Sequence, residues 1–268
     1  MKDKFIIGRY LPLDSIIHRL DPRAKLIFVF FFIIIIFFGH SVATYAWLFL
    51  LIMIFLKLSR IKLWFLVKGL TPIWFFMIFT FIMHLFLTKG GTTLVDFRLF
   101  TIDSNGVIEG IYIVLRLAFI VMISTIMTLS TSPIQLTDAL ERLLSPLKVV
   151  KLPVHQLSLM MSIALRFIPT LMEELDKIIL SQKSRGSEIS SGSIPNRVKA
   201  FVPLLIPLFI SAFQRAEDLA IAMEVRGYNP DTERTSYRRL QFKAQDIWTL
   251  VLLVPIAVVL FGLKYLGV

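Results

Sequence analysis

Two arginines hold the most informative positions in this chain. Arg185-Gly186 and Arg226-Gly227 each close a long amphipathic stretch, Pro153 to Ser184 and Pro195 to Val225. Aligned on the arginine, Asp176 and Glu217 both stand nine residues upstream, and Leu180 and Ile221 both five. Glycine after a cation is an ordinary helix stop, and the cation suits the helix dipole by ~0.3–1 kcal/mol. Finding the arrangement twice, each time beyond a long apolar rod, points to a pair of equivalent docking plugs. A guanidinium inserted into a pocket makes bidentate hydrogen bonds to a carboxylate that lysine cannot reproduce.

Other reactive groups are sparse or badly spaced for catalysis. The chain has no cysteine, which removes disulfides, thiolate metal sites and cysteine nucleophiles. His18, His40, His84 and His155 form no i, i+4 ligand pair. No Gly-Lys dipeptide occurs, so there is no P-loop and no ATP hydrolysis by that route. Glu173, Glu174 and Asp176 gather three acids on one stretch without a histidine partner, which reads as a solvated helix face rather than a membrane-embedded enzyme's centre. No catalytic residue, cofactor or metal ligand is expected.

The frame that must position the arginines is a membrane protein. Of 268 residues, 56% are hydrophobic and 24 are Phe, with a mean hydropathy of +0.78. That is more apolar than a soluble domain of this length needs. A bilayer core of roughly 30 Å takes about 20 apolar residues per helix. Candidate spans are Leu26 to Phe38, Val42 to Leu56, Leu63 to Leu87, Val107 to Leu129 and Ile247 to Leu266. The first two are short and split by Gly39-His40, so they form either a tight hairpin or one broken helix.

Charge orients the spans. Lys2, Lys4, Arg9, Arg19, Arg23 and Lys25 precede the first, and Lys57, Arg60 and Lys62 follow the second, whereas Thr88 to Asn105 carries only Lys89 and Arg98. The positive-inside rule then puts the N-terminus and residues 130–243 in the cytosol and the C-terminus outside. The net charge of +11 therefore reads as topology rather than nucleic-acid binding. No charged n-region with a short apolar h-region and cleavage site stands at the start, so no removable signal peptide is expected.

Several local patterns refine this frame. Asp21-Pro22-Arg23-Ala24-Lys25 places a capping Asp before Pro at the first helical position, with Arg23 and Lys25 expected at the headgroups. Gly106 and Gly110 form a GxxxG near a helix start, a weak signal of close packing. Glu109 and Arg116 lie two turns apart in the same span. An Arg there costs ~2.5–3.5 kcal/mol on insertion scales and should face protein. It is either a structural group or part of a substrate path, and the second reading makes the chain a secondary transporter.

Ser132 to Leu140 opens a short helix that Pro146 ends. The two long segments place Met160 and Met161, then Phe209, among apolar residues at helical spacing. Kinks are expected at Pro169, Pro203 and Pro207. About 30 residues at roughly 1.5 Å each make rods of about 45 Å. Ala212, Ala216 and Ala220 recur every four residues, as do Ser158 and Ser162, which suggests that the rods cross closely. Apolar residues cover more than one narrow stripe, so the rods need cover on several sides.

Asp21-Pro22-Arg23-Ala24-Lys25, the Ser132-Pro133 helix, Leu165-Arg166-Phe167-Ile168-Pro169-Thr170-Leu171, Ser184-Arg185-Gly186 and Ala222-Met223-Glu224-Val225-Arg226-Gly227-Tyr228 occur in one order. In this the chain resembles, over essentially its whole length, the transmembrane T component of energy-coupling factor (ECF) transporters, the family that includes cobalt and biotin uptake permease subunits. The resemblance implies an all-α polytopic scaffold in a prokaryotic plasma membrane, with two long crossed coupling helices. It implies as partners two ABC-type ATPases, which bind the ATP and magnesium, and a substrate-binding S component for a vitamin or metal ion. The family's docking motif is usually Ala-Arg-Gly; here Ser184 and Val225 replace the Ala, a change at the pocket rim. The expected organisation is 1–129 with four spans, 130–243 as coupling region and 244–268 as the last span.

Overall fold

The computed structural model describes residues 10–97, 100–146, 153–186, 194–229 and 240–265. Its elements are α1 (Ile16–Arg19), α2 (Pro22–Phe37), α3 (Val42–Ser59), α4 (Leu63–Leu70), α5 (Trp74–Leu87), β1 (Thr93–Phe97), β2 (Phe100–Asp103), α6 (Ser104–Ser130), α7 (Pro133–Leu144), α8 (Val154–Ser184), α9 (Ile194–Val225), α10 (Ala244–Val251) and α11 (Leu253–Tyr265). The fold is all-α apart from the small antiparallel β1–β2 hairpin. That hairpin falls in the cation-poor connection after α5, where no strand was expected from the sequence.

Two compact units share the chain: residues 1–142 with 240–268, and residues 143–239. The second lies within the segment 130–243 set apart by the sequence, and most of α7 belongs to the first.

In the first unit, Phe28, Phe32 and Ile36 of α2 pack with Tyr45, Leu48 and Ile52 of α3, Phe119 and Ile123 of α6, and Ile256 and Leu260 of α11. The opposite faces stay apolar and open, as with Phe30, Phe75 and Val258 at 62, 80 and 63% exposure. A helix that is apolar all round needs a nonaqueous surrounding, which a bilayer supplies. The α2–α3 connection is a tight hairpin: Ser41 and Thr44 form a capping box and start α3 at once.

The GxxxG closes α6 onto α5. A Cβ on Gly106 would lie 2.9 Å from the Thr88 carbonyl oxygen, and one on Gly110 would lie 3.0 Å from the Phe81 ring. Arg116 is structural at its observed position. Its Nη2 donates to the Gly39 carbonyl at 3.2 Å, and its guanidinium lies 5.5 Å from the Phe37 ring centroid, so it holds the α2–α3 turn.

Among the described residues, five helices are long and apolar enough to cross a membrane: Val42–Ser59, Leu63–Leu87, Ser104–Ser130, Val154–Ser184 and Ala244–Tyr265. The set differs from the sequence reading at two places. Helix α2, with 16 residues, spans only about 24 Å. Helix α8 enters as the least apolar of the five. Its second half carries Glu173, Glu174, Asp176, Lys177 and Lys183, a density of charge that the other four do not have.

Candidate docking site

Both arginines stand at exposed helix ends built in the same way. Arg185 caps α8, its N–H donating to the Ser181 and Gln182 carbonyls at 3.2 and 3.1 Å. Gly186 follows at φ +82° and donates to Lys183 O at 3.0 Å. At the end of α9, Gly227 has φ +70° and donates to Glu224 O at 2.8 Å, while Tyr228 N donates to Met223 O at 2.9 Å. These last two bonds are the pair that defines a Schellman end. A Cβ on either glycine would meet nothing within 4 Å, so it is the left-handed backbone that calls for glycine here. Arg185, Gly186, Arg226 and Gly227 are all exposed, Val225 is 82% exposed, and Ser184 turns its hydroxyl back to Leu180 O at 3.0 Å.

The helices run through Pro169, Pro203 and Pro207 without ending. They are tied to each other by polar groups that the sequence reading placed elsewhere. Glu174 accepts from Ser211 Oγ at 2.8 Å and forms an ion pair with Arg215. One of the three acids read as a solvated face is thus the clasp between α8 and α9. Its signal was available in the sequence: Glu174 shares a half-buried stripe with Leu171, Leu175 and Ile178.

The small-residue stripe is only partly inside. Ser158 is buried, and Ser162 and Ala212 are half-buried, whereas Ala216 and Ala220 are exposed. The covered stripe of α9 runs through Leu204, Leu208, Ser211, Arg215 and Leu219, one position away from Ala216 and Ala220. The reason is the clasp, which turns Arg215 rather than Ala216 toward α8. Met160, Met161 and Phe209, at 56, 47 and 66% exposure, also present themselves outward.

The Asp21-Pro22-Arg23-Ala24-Lys25 motif corrects another expectation. Asp21 caps α2 as foreseen, accepting Arg23 N at 2.9 Å. Arg23 and Lys25, however, face protein instead of headgroups. Arg23 bonds the Asp21 carboxylate and the Leu240 carbonyl and stacks over Phe242. Lys25 is 5% exposed and donates to His18 O, Ser130 O and Thr131 Oγ1. The buried Asp246 carboxylate accepts from Asp21 N and Lys243 N, both at 2.7 Å. Buried charges need such partners, and these join the starts of α2 and α10 to the end of α6. Among the described residues, no three His, Asp or Glu side chains gather as a metal ion would require.

Fold and site define an all-helical polytopic membrane protein that also carries a pair of long helices with matching exposed Arg-Gly ends. The chain belongs to the cobalt transport protein family, CbiQ, whose profile matches residues 14–237. It is 68% identical over 268 residues, the full length of both chains, to the "energy-coupling factor transporter transmembrane protein EcfT" of Staphylococcus aureus (strain 04-02981). The protein of the same name from Bacillus subtilis (strain 168) is 49% identical over 264 residues, 98% of this chain and 100% of its own. That of Limosilactobacillus fermentum (strain CECT 5716 / Lc40) is 41% identical over 266 residues, 99% and 100% of the two chains. The chain is therefore a transmembrane component of an ECF transporter in a bacterial membrane, and such components are not enzymes.

Proposed function

We propose that the chain is the coupling scaffold of its transporter, with Arg185 docking one ABC-type ATPase and Arg226 the other. The observation that carries this is the duplicated end: two long helices, each closed by an exposed arginine and a left-handed glycine. An arginine fixed at a rigid helix end meets an acceptor pocket with little loss of freedom, and its fork suits a carboxylate or carbonyl rim. Rigid caps also transmit force, because the glycine turn fixes the backbone that follows each arginine to the last helical turn.

In this reading the ATPases bind ATP and magnesium, while this chain binds neither nucleotide nor metal. Closing and opening of the ATPase pair moves the ends of α8 and α9 together and apart. The Glu174–Arg215 clasp makes the helices respond as a unit, and their outward apolar residues, Met160, Met161, Phe209, Ala216 and Ala220 among them, form the surface presented to a substrate-binding S component. Reorientation of that partner releases a vitamin or metal ion inside. The N-terminus and the coupling helices lie in the cytosol and the C-terminus outside. The low hydropathy of α8 and its charged second half support this placement against a spanning one.

The test is co-purification. Arg185→Ala with Arg226→Ala should abolish recovery of both ATPases, since each change leaves a partner group unpaired at ~2–5 kcal/mol. Each single change should weaken uptake while membrane insertion persists. Full recovery of both ATPases with normal uptake in the double variant overturns the docking role.

A further inference from the structure

Two neighbouring cavities in the first unit match the two halves of a phospholipid. The larger, about 410 Å³, is lined by apolar residues of α1, α2, α3, α6, α10 and α11, including Phe28, Phe55, Ile126 and Trp248. Its volume falls within the ~300–1,000 Å³ of small-molecule sites. Its rim is open and apolar, with Ile16 60%, Leu58 40% and Trp248 72% exposed. Lys25 also borders it, but its ammonium is held by His18 O, Ser130 O and Thr131 Oγ1.

The second cavity, about 340 Å³, is lined by Asp14, Ser15, Arg19, Lys57 and Arg60 and shares Ile16 and Leu58 with the first. An apolar chamber and a basic one therefore meet at two residues. Arg19 is matched by Asp14 through bidentate bonds of 2.7 and 2.6 Å. The hydrogen bond from Arg19, and next its charge, hold the Asp14 carboxyl below the usual carboxylate range, so it stays ionised. Lys57 and Arg60 then give the chamber two net positive charges. Arg60 spends one N–H on the Asp14 carbonyl at 3.3 Å and has others to donate.

We propose that this pair of cavities binds an anionic phospholipid, one acyl chain in the apolar chamber and the phosphate between Lys57 and Arg60. A neutral apolar ligand would leave the basic chamber unused, and a free phosphate would leave the apolar chamber unused. An amphiphile with a fixed negative charge uses both, and the bilayer supplies it beside the open rim. Trp248 at that rim has the amphipathic ring suited to the headgroup level. The site involves neither Arg185 nor Arg226 and stands apart from the docking reading.

Native mass spectrometry of the purified full chain tests it, with phosphatidylglycerol and phosphatidylcholine of identical acyl chains as probes. Phosphatidylglycerol should be retained more tightly, by roughly fivefold for each basic residue engaged. Lys57→Gln with Arg60→Asn should reduce it to the phosphatidylcholine level; Asn tolerates the left-handed backbone of Arg60 (φ 57°), so folding is preserved. Leu58→Trp, at a partly exposed position, should fill the junction and weaken both lipids. Inorganic phosphate should not compete. Equal retention of the two lipids, an undiminished preference in the Lys57/Arg60 variant, undiminished lipid binding in Leu58→Trp, or displacement by phosphate alone would each overturn the proposal.

Discussion

Arg185 and Arg226 differ from the internally paired cations of the chain in how they are held. Arg23 and Lys25 are consumed by internal partners, Arg116 by the Gly39 carbonyl and Arg215 by Glu174. The two Arg-Gly ends are exposed beyond their helices, with backbones set by a positive-φ glycine. Glycine is required there by conformation alone. Gly227→Ala should therefore destabilise the cap by about 1 kcal/mol and lower ATPase recovery without touching the guanidinium, whereas Arg226→Lys should keep the cap and still weaken docking. Equal uptake by Gly227→Ala and the parent chain would show that cap rigidity is irrelevant. These ends were legible in the sequence because a glycine stop after a long periodic stretch is a local signal. The fates of Arg23 and Lys25 were not, because their partners lie more than 100 residues away, at Leu240 and Ser130.

Helices α8 and α9 were legible in extent, since their apolar periodicity and glycine stops lie in the chain itself. Their mutual rotation was not. An alanine every four residues marks a face without saying what covers it, and the Glu174–Ser211–Arg215 clasp selects the adjoining stripe. Two outcomes follow for substitutions on α9. Ala216→Leu, on the exposed face, should leave the helix pair and ATPase recovery intact while reducing uptake through the partner surface. Ala212→Leu, half-buried beside Ser211, should overpack the pair at ~1–3 kcal/mol and lower thermal stability. Comparing melting temperatures of the two variants checks this. A larger loss for Ala216→Leu would show that the alanine stripe, not the clasp, lies between the helices.

The first unit is knit by contacts between distant segments. Asp246 accepts from Asp21 N and Lys243 N, which ties the last span to the start of α2. Asp246→Ala would orphan the buried Asp21 N–H, at ~1–3 kcal/mol, and remove the cap on Lys243 N, so this variant should unfold at lower temperature in detergent while Asp246→Asn retains part of the stability. Class and four of the span positions were legible from hydropathy, since lipid requires continuous apolar helices. The β1–β2 hairpin was hidden because strands of five and four residues carry too little periodicity, and this knot because pairing across the chain leaves no periodic trace. The proposed membrane sidedness rests on the Lys/Arg asymmetry. In this cysteine-free chain, Ser191→Cys, which lies outside the described residues, should label only from the cytosol and Thr92→Cys only from outside. Reversed labelling would remove the ATPase assignment. The same absence of cysteine permits the most direct measurement of the central claim, site-specific cross-linking in the assembled transporter. Ser184→Cys and Val225→Cys should each capture an ATPase, and Phe209→Cys the small membrane partner. Capture of the membrane partner at Ser184 and Val225, with an ATPase at Phe209, would contradict the account.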